Sequence, residues 1–365
     1  MNISNKITEN QYRSIVESSM VAVGILTLSR GVSRSAYHEG WISVILGGIY
    51  PIIVVLAADF IDKKMNGCSF EKINDKIYGK FLSKIILITF FIKFAIYGAS
   101  ILSGFVNVAK IVIIPFISPY VILAVLFFIT SYATINGLTL VGRLCEVVSY
   151  LLVFLVIMMN SLLFEGHMIN VKPLFSSFKN IISAVPNSLF SYTGVEMSYI
   201  TIHFITNKSN PKKAGLQAVL FIVFTYASNV FVVIYCLGWE ITSKNSYPIL
   251  FLASTLEIPL IENLRTTLMV IWSFIIFRIL TCDFFAAAYS LSKAFNMKYK
   301  VSLIITLILG LIGSIFMMPE YNRVNILDKV TPYTMGFGVL WGVITTIIII
   351  IKNKKVSNNS YKKGD

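Results

Sequence analysis

Histidine, cysteine and negative charge are all scarce in this chain. Its three histidines, His38, His167 and His203, fall in different regions and suggest no metal site. Its four cysteines, Cys68, Cys145, Cys236 and Cys282, follow neither a disulfide nor a zinc spacing. Only 13% of residues are charged, where a soluble domain carries roughly a quarter. A P-loop lysine motif, an HExxH pair, a nucleophile elbow and paired acids in a cleft are all missing, so neither an enzyme nor a cofactor is expected. No Pro/Gly/Ser linker is long enough to divide the chain, which predicts a single transmembrane domain over 1–365.

What is abundant is apolar sequence, at 56% of residues. A membrane-spanning helix needs about 20 largely apolar residues. Hydropathy predicts ten spans, near 12–33, 41–61, 85–109, 119–136, 144–164, 181–205, 214–238, 266–291, 301–318 and 333–351. The first contains Glu17 and precedes nine more, so it is expected to be kept as a span and not removed as a signal peptide.

The net charge of +14 would otherwise suggest nucleic acid. The basic residues instead alternate with the loops. One side holds Lys63, Lys64, Lys72, Lys76, Lys80, Lys84, Arg143, Lys208, Lys212, Lys213, Lys293, Lys298 and Lys300, together with both tails. The other holds only Arg30, Arg34, Lys110, Lys172, Lys179, Lys244, Arg265, Arg323 and Lys329. The positive-inside rule then places both termini, and a basic tail over 352–365, in the cytoplasm, and no nucleic-acid partner is expected.

Two clusters interrupt corresponding spans. Span 1 carries Gly24-Ile25-Leu26-Thr27, and span 6 carries Phe190-Ser191-Tyr192-Thr193-Gly194-Val195-Glu196. They lie five spans apart and run in opposite directions. An inverted five-plus-five repeat with discontinuous helices 1 and 6 produces this pattern, with unwound backbone free to meet a ligand at the midplane. A carboxylate suits the N–H groups that start a half-helix, and an ammonium suits exposed carbonyls. The competing reading makes Gly24 and Gly194 packing glycines.

Lys93, Tyr97, Ser100, Gly104 and Asn107 share one face of span 3, a polar stripe expected to face the bundle interior. The alternative is a plain helix contact. In span 8, Arg278, Thr281, Cys282, Phe285 and Tyr289 form a similar face. Arg278 needs a partner, with Glu196, Asp283 and Glu146 as candidates, and a structural ion pair explains it as well as a functional one. Arg143 and Glu146, three apart at the start of span 5, suit a latch. Phe70, Ile73, Ile77 and Phe81 against Lys72, Lys76, Lys80 and Lys84 suggest an amphipathic helix on inner-leaflet lipids. A solvated face or a partner-docking surface is the alternative. The apolar stretch after Tyr247-Pro248 suggests short capping helices over 239–264, and Gly338-x-x-x-Gly342 suggests close packing in span 10.

Several stretches, in order, resemble the spore germination receptor B subunits (the GerAB type) of the amino acid–polyamine–organocation transporter superfamily. They are Gly24 to Leu28, Glu39-Gly40-Trp41-Ile42-Ser43-Val44, Phe70 to Lys80, Arg143 with Glu146, Val171-Lys172-Pro173-Leu174, Phe190 to Glu196, and Tyr247-Pro248. The resemblance covers roughly 8–355 and departs at Ser29, where the family often has proline. It implies an all-α integral membrane protein of LeuT-like fold in the spore inner membrane. It further implies that the protein senses a nutrient, usually an amino acid, with A and C subunits as partners.

On that basis a free amino acid is expected between spans 1, 3, 6 and 8. Gly24, Ile25, Leu26 and Thr27 would meet its carboxylate. Ser191, Tyr192, Thr193 and Gly194 would meet its ammonium. Tyr97, Ile101, Phe190 and Phe285 would shape its side-chain pocket, beside Ser100, Thr281 and Cys282. Lys93, Arg143, Glu146, Glu196, Arg278 and Asp283 are expected in coupling or gating. A proton-coupled amino acid transporter using Glu196 or Asp283, and a scaffold subunit without ligand, are the competing readings.

Overall fold

The first helix starts where its capping residues say it should. In the computed structural model, which describes residues 6–255 and 263–361 and side chains as far as Lys352, the Thr8 hydroxyl accepts from the Gln11 N–H at 3.1 Å. The Gln11 side chain accepts from the Thr8 N–H in return, a reciprocal cap that satisfies two orphan donors. Helix α1 runs Glu9–Met20 and stops where Val21 turns extended. Helix α2 begins at Gly24 and runs to Ala36. Tyr37, at φ 54°, then reverses the chain into α3, Gly40–Gly47, and α4, Ile49–Lys64.

Helix α5, Phe70–Val112, is interrupted at Gly79, where φ is 79° and ψ is 163°. Helices α6, Pro119–Ile135, and α7, Leu138–Asn160, follow. Helix α8, Phe178–Leu189, ends in a single 3-10 turn, Phe190–Tyr192, and α9 resumes over Met197–Thr201. The remainder is α10, Pro211–Lys244, α11, Pro248–Thr255, α12, Leu264–Ala294, α13, Tyr299–Phe316, and α14, Glu320–Tyr361. Among the described residues the only extended pairing is one parallel bridge between Ile7 and Ile205.

Seven helical runs are long and apolar enough to cross a membrane, with Pro119–Ile135 a shorter apolar helix. The protein is an integral membrane protein. Helix α12 forms the centre, buried along most of its length and packed lengthwise on α5. Helix α1 lies against α10 and α7, and α2 against α8 and α10. Phe128, Val125, Ile308 and Ile312 on α6 and α13 remain exposed, as residues facing lipid do.

Two sequence expectations are corrected, and a third is met as far as the described residues reach. The apolar face of 70–78 meets protein and not lipid: Phe70 and Ile73 are buried, and Phe70 packs against Phe90 and Trp341. Only Phe81, 78% exposed, is left for another surface. Arg143 is exposed and makes no ion pair with Glu146 among the described residues, so the latch is not formed. The stretch after Tyr247 does fold, as α11, but residues 256–262 of that loop lie outside the described residues.

The end bearing Lys72 and Lys293 is tied by polar contacts. Glu71 accepts from Tyr289 at 2.6 Å and pairs with Lys293 at 2.9 Å. Lys208 pairs with Asp62 at 2.6 Å. Glu9 accepts from the Ser209 and Asn210 N–H groups at 2.5 and 2.7 Å. At the opposite end Glu39 accepts from the Ser176 N–H at 2.7 Å.

Candidate functional site

The gap between α1 and α2 packs directly on the gap between α8 and α9. A Cβ at Gly24 would lie 3.0 Å from the Ser191 hydroxyl, and one at Gly194 would lie 2.0 Å from the Ser19 carbonyl oxygen. Gly194 also adopts φ 104°, which side-chain-bearing residues avoid. The Tyr226 hydroxyl sits between the gaps, 2.6 Å from the Met20 carbonyl and 3.0 Å from that of Ser191. Its single proton is shared by carbonyls released from two helix ends, which unwinding would otherwise leave unpaired.

Around this junction lies a cavity of about 20 Å³. Ser19, Met20, Ala22, Val23 and Gly24 line one side, and Phe190, Ser191, Thr193 and Gly194 the second. Tyr97, Ser100 and Ile101 of α5, Ile279 and Asp283 of α12, and Arg323 of α14 close it. That volume admits one water. A larger vestibule of about 240 Å³ shares Val23, Gly24, Phe190, Ser191 and Arg323 with it and adds Thr27, Arg30, Arg34, Asn187, Glu320 and Asp328. The shared residues are therefore the wall between the two spaces.

The sequence stripe on α5 faces inward: Lys93, Tyr97 and Ser100 are buried. Tyr97 bonds to the hydroxyls of Thr331 at 3.1 Å and Thr334 at 3.0 Å. Lys93, 1% exposed, forms an ion pair with Glu196, 0% exposed. Glu196 also accepts from the Tyr50 hydroxyl at 2.5 Å and from the Gly194 N–H at 3.2 Å. Gly338 lets α14 approach this carboxylate, and Gly342 makes room for the Tyr199 ring. The pair thus fixes the loop that carries Gly194. Removing one partner strands the other as a buried charge, which costs about 3–5 kcal/mol. Lys93→Met alone is expected to lower stability by that amount. Lys93→Met with Glu196→Leu is expected to recover much of it, as read by thermal unfolding of both purified variants.

Nine of the residues singled out from sequence line the cavity: Gly24, Tyr97, Ser100, Ile101, Phe190, Ser191, Thr193, Gly194 and Asp283. Thr27 faces the vestibule. Ile25 and Leu26 are buried in the apolar core, and the Tyr192 hydroxyl donates to the Val44 carbonyl at 2.9 Å. Thr281 bonds to the Arg278 carbonyl, Cys282 sits 3.5 Å from Cys145, and Phe285 stacks on Tyr289. These three lie on a different face of α12 from Asp283. Arg278 finds none of the carboxylates suggested for it. It donates to the Ser149 hydroxyl at 3.1 Å instead. Arg323 escaped the sequence reading because it looks like one more charge in a loop between spans. Its place on the first turn of α14, held by Glu320, is visible only in three dimensions.

A profile of the family described as "Spore germination protein" matches residues 6–325. Spore germination protein YndE of Bacillus subtilis (strain 168) is 27% identical over 302 residues, 81% of this chain and 83% of that protein. Spore germination protein B2 of the same organism is 24% identical over 95% of this chain and 93% of that protein. Among solved structures, MhsT in complex with L-phenylalanine superposes with a TM-score of 0.66 at 14% identity, covering 94% of this chain and 88% of that one. At that identity the likeness is one of fold, and the fold is that of LeuT-type transporters.

Proposed function

Because the chain belongs to the spore germination protein family, and is therefore a membrane protein and not an enzyme, we propose that it is the nutrient-sensing B-type subunit of a germinant receptor. It binds a small amino acid between the two helix gaps and signals to A and C partner subunits in the spore inner membrane. The observation that carries this reading is the meeting of Gly24, Ser191 and Gly194 around a cavity beneath a vestibule. Helix gaps leave N–H and C=O groups free at that depth, and such groups persist there only where they line a cavity or protein. An amino acid needs more room than one water. Phe190 and its neighbours must therefore move for entry, and the protein must exist in open and closed forms whose balance the ligand shifts.

In this reading the chain crosses the membrane ten times as an inverted five-plus-five repeat, with α1–α2 and α8–α9 as its discontinuous spans. The run Gly24–Lys64 belongs to two successive crossings because it reverses at Tyr37. Both termini are cytoplasmic. Cysteines introduced in place of Lys80 and Lys179, both exposed, in a cysteine-free background should then react with impermeant maleimide from opposite sides. Reaction from one side alone would overturn the ten-span topology.

Ligand binding is tested on the purified chain in lipid nanodiscs against all common amino acids. At least one is expected to raise the unfolding temperature, since a ligand at a hundred times its Kd adds about 2.7 kcal/mol. Gly24→Leu is expected to erase that rise. Thermal curves that no amino acid moves would remove the sensing role.

A further inference from the structure

The cavity has a polarity of its own. At one end Asp283, 2% exposed, lines the wall, and its Oδ2 has no hydrogen-bond partner among the described residues. Beside it is the C-terminus of α1, where the Ser19 and Met20 carbonyls have lost their helical donors. Lys93 is engaged by Glu196, and Asp283 makes no ion pair among the described residues. The other end carries Gly24, at the N-terminus of α2, and the guanidinium of Arg323, which also donates to Glu320. The Ile25 and Leu26 N–H groups already donate to the Ala22 and Val23 carbonyls at 3.4 and 3.1 Å, so the Gly24 N–H and Arg323 are the donors at this end. Burying an unpaired carboxylate is costly, and folded chains keep such a group where function uses it.

We propose that Asp283 is the counter-ion for the ammonium of the bound ligand, and that the ligand is a small zwitterion lying across the cavity. Its amine points to α12 and the end of α1. Its carboxylate points to Gly24 and Arg323. This rests on the ligand-sensing reading above and adds a requirement to it: the amine must be present and charged. The dipoles of both half-helices favour the same orientation. A hydroxy acid of the same shape would place a neutral hydroxyl where Asp283 needs a cation.

The test uses the full chain in nanodiscs, as wild type and Asp283→Asn, with thermal shift and equilibrium binding. The probes are glycine, L-alanine and L-serine against glycolate and L-lactate, each in sodium chloride and in choline chloride. Wild type is expected to prefer an amino acid to its hydroxy acid by at least tenfold. In Asp283→Asn that preference is expected to shrink by tenfold or more, with the ligand-free protein as stable as wild type or more so. An unchanged preference in Asp283→Asn overturns the proposal. So does a dependence on sodium that Asp283→Asn abolishes while the amine preference persists, because the cation is then an inorganic one. If none of the common amino acids moves wild type, the sensing reading fails separately. Methylammonium chloride then decides this one: a stabilisation present in wild type and absent from Asp283→Asn sustains it, and equal curves overturn it.

Discussion

Replacing Gly194 with alanine is expected to cost the fold roughly 2–6 kcal/mol and to abolish any response to ligand. Two independent effects add. The backbone there holds φ 104°, a region costly for any residue with a Cβ. The added carbon would also stand 2.0 Å from the Ser19 carbonyl oxygen, and that backbone atom has no rotamer through which to retreat. To relieve the clash, the end of α1 must separate from the loop before α9, which is the junction where the cavity lies. Gly336→Ala is the matched control. Nothing lies within 4 Å of a Cβ at Gly336, and exchanging a helical glycine for alanine in open space is neutral or mildly stabilising. Denaturation of the two purified variants, beside germination of spores carrying each, gives the comparison. Equal stability of the two variants would remove the steric argument.

The second large effect separates sensing from transport. The isolated chain, reconstituted into vesicles, is expected to bind an amino acid and to accumulate little of it, with or without a proton gradient. A transporter must open its cytoplasmic end on every cycle. In the proposed orientation that end is held by the contacts of Glu71 with Tyr289 and Lys293, Lys208 with Asp62, and Glu9 with Ser209 and Asn210. Solvent screens the exposed contacts to about 0–1 kcal/mol each, but full opening must break all of them together with the half-buried Glu71–Tyr289 bond, which makes it rare. A receptor needs only to shift between two forms at the vestibule end. Deleting the gene is accordingly expected to abolish germination on that nutrient while leaving growth on it normal. Gradient-driven uptake by the isolated chain, with normal germination of the deletion strain, would reverse the assignment to a transporter.

Much of this was legible in the residues because a membrane simplifies the code. Apolar length marks the segments long enough to cross a membrane. Small polar clusters stand out against Ile and Phe, so the Gly24 and Phe190–Gly194 segments were visible in the sequence itself. The stripe from Lys93 was visible too, since polar groups in lipid must turn inward. Partner choice was not legible. Arg278 meets a serine hydroxyl and Lys93 takes Glu196, because helix rotation, which hydropathy does not report, sets which side chains face each other. The same blindness put Thr281, Cys282 and Phe285 in the site and left Arg323 out. The stripe on α12 is real, but the cavity touches its Asp283 and Ile279 edge. The segment 70–78 misled for a related reason. An apolar face announces that something covers it, without saying whether lipid or Trp341 does.

The small bridge at Ile7 has a mechanical meaning. The Ile7 N–H donates to the Phe204 carbonyl at 3.1 Å, and the Ile7 carbonyl accepts from the Thr206 N–H at 2.9 Å. These bonds lash the start of α1 to the stretch just beyond α9. On the other side of the gaps, Asn187 of α8 donates to the Gly31 carbonyl at 3.2 Å and to the Ser35 hydroxyl at 3.1 Å, lashing α8 to α2. The four short helices are thereby two jaws that meet along one pivot, and the cavity sits on the pivot line. The twelve residues of α1 make a lever roughly 18 Å long. A turn of about 10° at the pivot swings its far end by about 3 Å, a displacement typical of switching helices. In the proposed receptor, a wedge the size of one small molecule therefore becomes a movement at the start of α1, where Ile7 is buried and Thr8 is exposed.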